Sequence, residues 1–137
     1  MMQKRESGQA TAEFALTILA FFTLIAFLVD GGRIFGNYVT VAQAARVGAR
    51  YAITHGSKSA SPVGPANYTA LRDTVKANAP GLISASTTVT ATWAGSSNDP
   101  GSSVTVNVSY SVQPITSLFW GGATLTLQDH STMVIQN

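Results

Sequence analysis

The residue whose chemistry most constrains this chain is a glutamate at the head of an apolar run. Glu13 is followed by residues 14–29 (FALTILAFFTLIAFLV), which carry no charge, and Gly8 lies five residues before it. An ionised carboxylate near membrane depth costs roughly 2–4 kcal/mol, so a residue of this kind is first read as functional. A carboxylate that becomes buried needs a cationic partner. The alternative is that Glu13 lies at a membrane interface, in the first turn of a helix, where a negative charge suits the helix dipole.

Other side chains that could do chemistry are sparse. Asp30 and Arg33, at i and i+3, can pair with each other, either as a subunit contact or as a solvated pair at the interface. Arg46 and Arg50 lie four apart on one helix face. His55 and His130 are the two histidines, and no spacing around them resembles a metal set. There is no G-x-S-x-G, no P-loop and no G-x-G-x-x-G. The sequence has no cysteine, which excludes a disulfide scaffold and a thiolate metal site. We therefore expect no catalytic residue, no metal, no cofactor and no small-molecule substrate. An enzyme would need a polar pocket at a sheet edge, for which Asp129 and His130 are the candidates. The sequons at Asn67 and Asn107 are short enough to arise by chance.

The elements that position these residues follow from composition and periodicity. Charged residues make up 10% and hydrophobic residues 45% of the 137, against about 25% charged in an average soluble domain, so the chain is not a disordered one. Eight Lys/Arg against six Asp/Glu, unclustered, give a net charge of +2 and no nucleic-acid footprint. Residues 10–29 would form a helix of about 30 Å, the thickness of a hydrocarbon core. A core helix of that length needs more chain around it than remains. A secretory signal has an apolar core of about 7–15 residues and a small-x-small cleavage site; here the run is longer, a glutamate heads it and LVDGGRIF follows it. The segment reads as a retained membrane helix, with Lys4 and Arg5 holding its N-terminus in the cytoplasm and the C-terminal part exported.

Beyond the apolar run, Tyr38, Val41, Ala42, Ala45, Ala49 and Ala52 recur at helical spacing and predict a helix over 33–54. The spacing Ala44-xxx-Gly48-xxx-Ala52 offers a small surface, either for close approach of another helix or for packing on the chain's own domain. Gly31-Gly32 is the expected weak point for a kink or local melting. His55-Gly56 is the expected stop. Residues 57–67 predict a loop, and 68–78 a short helix capped by Asn67, with Leu71 and Val75 inward and Pro80-Gly81 ending it. Period-two alternation then predicts strands through Val89 and Trp93, through 104–112, and over 123–135, with Leu125 and Leu127 in phase. An antiparallel sheet with one dry face needs a cover, and the exported half of the long helix supplies it. Phe119-Trp120 is either an exposed tip or part of the core. The fold class is α+β: a long N-terminal membrane-spanning helix, then a small domain with a short helix and a three- to four-strand antiparallel sheet.

Two strings carry a resemblance to a known family. Gly8-Gln9-Ala10-Thr11-Ala12-Glu13-Phe14 resembles the cleavage motif of type IV prepilins, in particular the Flp/Tad branch. Asp30-Gly31-Gly32-Arg33, followed by Ala44-Ala45-Arg46-Val47-Gly48-Ala49-Arg50, is similar to the TadE/TadG-like pilus-assembly proteins. The resemblance implies a pilin-like fold and a leader over 1–8 that a prepilin peptidase removes between Gly8 and Gln9. Glu13 and Phe14 then become the fifth and sixth residues, and a new amine at Gln9 lies one helical turn from Glu13. It implies a transmembrane and assembly helix over 9–30, an exported continuation over 31–56 and an exported domain over 57–137. Asp30, Gly32 and Arg33 form the juxtamembrane motif; Arg46, Gly48 and Arg50 form the helix motif. The implied role is a minor pilin or pseudopilin of a Tad-type pilus or related secretion apparatus, since the family's major subunits are smaller. Implied partners are the peptidase, other pilin subunits, the cytoplasmic membrane and the pilus assembly platform. The alternative is an unprocessed single-pass protein displaying a small binding domain.

Overall fold

One helix organises the whole molecule. In the computed structural model, which describes residues 3–136, α1 runs Gln3–Thr54 without a break. Its 52 residues span about 78 Å. Of the leader expected over 1–8, Met1 and Met2 lie outside the described residues.

The helix passes through Gly31 and Gly32 without the expected kink or melting. Each glycine weakens a helix by about 1 kcal/mol relative to alanine. Asp30 and Arg33, which flank the pair, are tied to each other, and Asp30 is bonded to the domain, which holds the turn in place. The helix ends at Thr54, as expected, but Gly56 takes no left-handed conformation. His55 closes the end instead. Its Nδ1 donates to the Tyr51 carbonyl at 2.8 Å while its ring stacks on Tyr51 at 3.9 Å between centroids.

The remaining elements are α2 (Thr69–Ala77), β1 (Thr87–Trp93), β2 (Ser103–Val112) and β3 (Leu125–Val134), with 3₁₀ turns between them. Asn67 accepts the Thr69 N–H at 3.2 Å and sits one place outside the helix, so it closes the turn before α2 rather than capping it. The strands form an antiparallel meander in the order β1-β2-β3, with Val89 opposite Val108 and Tyr110 opposite Leu127. Threonine, serine, asparagine and glutamine cover the wet face, where the Thr105 and Thr132 hydroxyls meet at 2.7 Å. On the dry face Val104, Val106, Val108 and Tyr110 are buried. Burying a side chain of this size is worth about 1.5–3 kcal/mol, so β2 is the backbone of the core.

The cover is the upper half of α1. Val41, Ala44, Ala45, Ala49 and Ala52 are all buried there, with Leu71 and Val75 of α2 against them. Tyr38 and Ala42, read as part of this stripe, lie at its margin, and Tyr38 is exposed. The small residues serve internal packing. A Cβ built on Gly48 would stand 2.7 Å from Val75 Cγ2 and 2.8 Å from Val106 Cγ1, so only glycine lets α1, α2 and β2 meet here. Leu125 has the expected phase, but it lies at the open end of the sheet and is exposed, whereas Leu127 is buried.

Candidate functional site

The lower half of α1 has no cover from its own chain. Residues 8–29 are exposed apart from Thr23 and Ala26, which are half-buried. Phe14, Leu16, Leu19, Phe21, Phe22, Leu24 and Leu28 all point into the surroundings. The hydroxyls within this run are hidden against the helix backbone: Thr17 donates to the Glu13 carbonyl at 2.9 Å and Thr23 to Leu19 at 2.7 Å. An apolar surface of this extent, about 33 Å along the axis over residues 8–29 against a bilayer core of about 30 Å, needs a non-aqueous neighbour.

A carboxylate stands near each end of this bare surface. Glu13 is exposed, and its Oε1 accepts one hydrogen bond from Gln9 Nε2 at 2.9 Å. The i, i+4 spacing of the helix brings these two side chains together. Gly8 is exposed too, and a Cβ there would meet nothing.

Asp30 is the opposite case. It is 3% exposed and held by groups from a distant part of the chain. Oδ1 accepts the Ile115 N–H at 2.9 Å; Oδ2 accepts the Thr116 N–H and the Thr116 hydroxyl, both at 2.7 Å. The Arg33 guanidinium lies 3.5 Å from Oδ1. Because Asp30 is buried against its own domain, the solvated pair expected as one alternative for Asp30 and Arg33 gives way to an intramolecular clamp. Its other jaw is the 3₁₀ turn Ile115–Trp120. Pro114 enters that turn in an extended conformation, Ser117 donates to the Pro114 carbonyl at 2.6 Å, and Gly121 and Gly122 leave it with positive φ. Nothing in the sequence pairs Asp30 with residues 85 and 86 positions further on. The sequence signal there is limited to Pro114, which ends the strand before the turn.

The other residues singled out by sequence are not gathered at one place. Gly32 faces open space. Arg46 and Arg50 are exposed and, with Gln43 and Val47, line a shallow groove of about 200 Å³. Gly48 is buried in the core, away from them. His130 is exposed on β3, and Asp129 accepts the His130 backbone N–H at 2.8 Å. Among the described residues no group of His, Asp and Glu could hold a metal ion.

Fold and site together define a class: a small α+β domain clamped to the upper half of one helix, whose lower half is long and apolar enough to cross a membrane. A family model described as TadE-like protein matches residues 8–50, and the chain is TadE-like over that stretch. The match runs from Gly8 to Arg50 and takes in Glu13, the Asp30 and Arg33 side of the clamp, and Gly48. It points to a pilin-like protein related to Tad pili. No curated protein and no solved structure matches the chain.

Proposed function

We propose that this chain is a structural subunit, a minor pilin or pseudopilin of a Tad-type pilus or a related secretion apparatus. In this reading a prepilin peptidase hydrolyses the Gly8–Gln9 bond on the cytoplasmic side, where Lys4 and Arg5 hold the leader. The mature chain stays in the cytoplasmic membrane through residues 9–30, with the domain exported. The assembly platform then passes it into a filament of packed N-terminal helices. The observation that carries the reading is the coincidence of the TadE-like match with a bare helix that keeps Glu13 near its head.

Glu13 supplies the chemistry of assembly. Packing the apolar run against neighbouring helices takes its carboxylate out of water, which is strongly unfavourable for an unpaired charge. Cleavage creates an α-amine on Gln9, the residue whose side chain already reaches Glu13. A neighbouring subunit's amine is the cation that lets Glu13 enter the filament, so an uncleaved subunit is held back. The role is structural rather than enzymatic, because the clamp and the core glycine serve to hold a domain upright on a helix.

The test is expression with and without an active prepilin peptidase, read by intact mass and by fractionation of filaments. We expect loss of residues 1–8 only when the peptidase is active. Glu13→Ala should still insert in the membrane and fail to enter filaments. An unchanged full-length mass with active peptidase, and a Glu13→Ala protein that behaves as the parent, would favour the unprocessed single-pass alternative. That alternative would place binding at the far end of the domain, where Tyr51, Pro62, Val63, Asn67 and Asp73 line an open cleft of about 400 Å³.

A further inference from the structure

The Ile115–Trp120 turn has its polarity reversed. Thr116 and Ser117 are buried, while Ile115, Leu118 and Phe119 are 55%, 84% and 66% exposed. Phe119 is therefore the exposed tip and not core; the Trp120 side chain lies outside the described residues. The outward-facing apolar groups are not the result of a loose loop. The turn is fixed by the three hydrogen bonds to Asp30, by the Ser117–Pro114 bond and by Gly122 N–H to the Ser117 carbonyl at 2.8 Å.

We propose that this turn is a second membrane contact: Ile115, Leu118 and Phe119 insert into the headgroup and acyl boundary of the bilayer and seat the domain on the membrane surface. The proposal rests on the reading of α1 as a membrane-crossing helix. Its position follows from the fold. α1 and β2 run in opposite directions, with Gly48 against Val106 and Asp30 against Ile115 and Thr116. The β2–β3 connection is therefore the end of the domain nearest the apolar run. The β1–β2 connection lies at the far end, where Ser57 N–H reaches the Asn98 carbonyl at 2.9 Å.

Helix length then sets the depth. Glu13 and Asp30 are separated by 17 residues, about 26 Å along a helix, against a hydrocarbon core of about 30 Å. With Glu13 at the cytoplasmic edge, Asp30 lies at or slightly within the exported edge. A carboxylate with three hydrogen-bond donors and a guanidinium can sit there. Whatever is bonded to Asp30 shares that level. No charged residue occurs between Asp99 and Asp129, so nothing on the turn opposes insertion. A neighbouring protein could also cover an apolar tip, but a lipid surface is the neighbour that the end of the membrane run places beside it.

The chain has no cysteine, so Leu118→Cys, Leu24→Cys and Thr90→Cys each create a single labelling site at an exposed position. The full-length protein would be spin-labelled and placed in nanodiscs of phosphatidylethanolamine and phosphatidylglycerol. Accessibility to oxygen and to a water-soluble nickel chelate would then be measured by paramagnetic resonance. We expect the Leu24 label deep, the Thr90 label aqueous, and the Leu118 label between them with an oxygen-to-nickel ratio several-fold above that of Thr90. A Leu118 label as aqueous as Thr90, with Leu24 deep, overturns the anchor and leaves the membrane span standing. A Leu118 label immobilised and closed to both reagents shows a protein contact and also overturns it. An aqueous Leu24 label overturns the span itself, and the anchor with it.

Discussion

The two halves of α1 are one continuous helix under opposite demands. In residues 41–52 every turn places a small or β-branched side chain against the chain's own sheet, and Gly48 is required because a single added carbon has nowhere to go. In residues 8–29 the side chains are larger and more apolar, yet they touch almost nothing of their own chain. Glycines show the same contrast: Gly31, Gly32 and Gly36 face open space. The upper half is specified by the domain that folds on it, and the lower half by a neighbour outside the chain. Asp30 is the joint between the two. Its carboxylate is satisfied by the domain, whereas Glu13, near the other end of the bare run, accepts a hydrogen bond from the Gln9 amide on its own helix.

The contrast can be broken first at its tightest point. Gly48→Leu should leave the domain unfolded, and Gly48→Ala should destabilise it by about 1–3 kcal/mol, because Val75 and Val106 must move. Denaturant titration in detergent, followed by tryptophan fluorescence with Trp120 replaced by Phe so that Trp93 reports alone, measures both. Asp30→Ala comes next. It strands the Ile115 and Thr116 N–H groups and the Thr116 hydroxyl, a loss of about 2–4 kcal/mol from leaving buried donors unpaired. Hydrogen exchange at residues 115 and 116 should rise in that variant while exchange in β2 changes little.

Gly32→Ala sharpens the contrast from the other side. With no neighbour to strike, it should leave the domain intact and stabilise the helix by up to about 1 kcal/mol. The same denaturant titration checks it, and a loss comparable to that of Gly48→Ala would show that Gly32 is packed.

The smallest effect is a pH dependence at the far end of the domain. The Ser97 hydroxyl, which donates to Asp99 at 2.7 Å, holds the Asp99 carboxyl below its ordinary value of 3.8, with help from the Ser57 hydroxyl and the charge of Lys58. A carboxyl lowered in the folded state adds stability above its unfolded value, and that contribution is lost as pH falls through the folded value. Parent and Asp99→Asn should therefore differ slightly in melting temperature near neutral pH and converge well below pH 3.8. A difference that persists undiminished at low pH would contradict this.

Much of the architecture is legible in the sequence because it depends on local period. The apolar run, the stripe through Val41 and Ala52, and the alternation of β2 are each set by which face meets water. The three strands and the single cover helix follow from those faces. What could not be read depends on contacts far apart in the chain. Asp30 and Arg33 look like a local pair, and only the fold shows that Ile115 and Thr116 complete it. Ala44, Gly48 and Ala52 show the same spacing whether the partner is another subunit or the chain's own valines. Gly31-Gly32 looks like a break, because helix propensity carries no information about a clamp one residue away. Phe119 is apolar, and sequence alone does not distinguish an apolar residue turned inward from one turned towards a membrane.

In the proposed assembly Glu13 is kept for a partner that appears only after the chain is cut. The most direct measurement is the first residue of the protein recovered from the membranes and filaments of cells that make it naturally, by N-terminal sequencing or top-down mass spectrometry. The expected chain begins at Gln9. A chain that still begins at Met1 or Met2 in both fractions would contradict it.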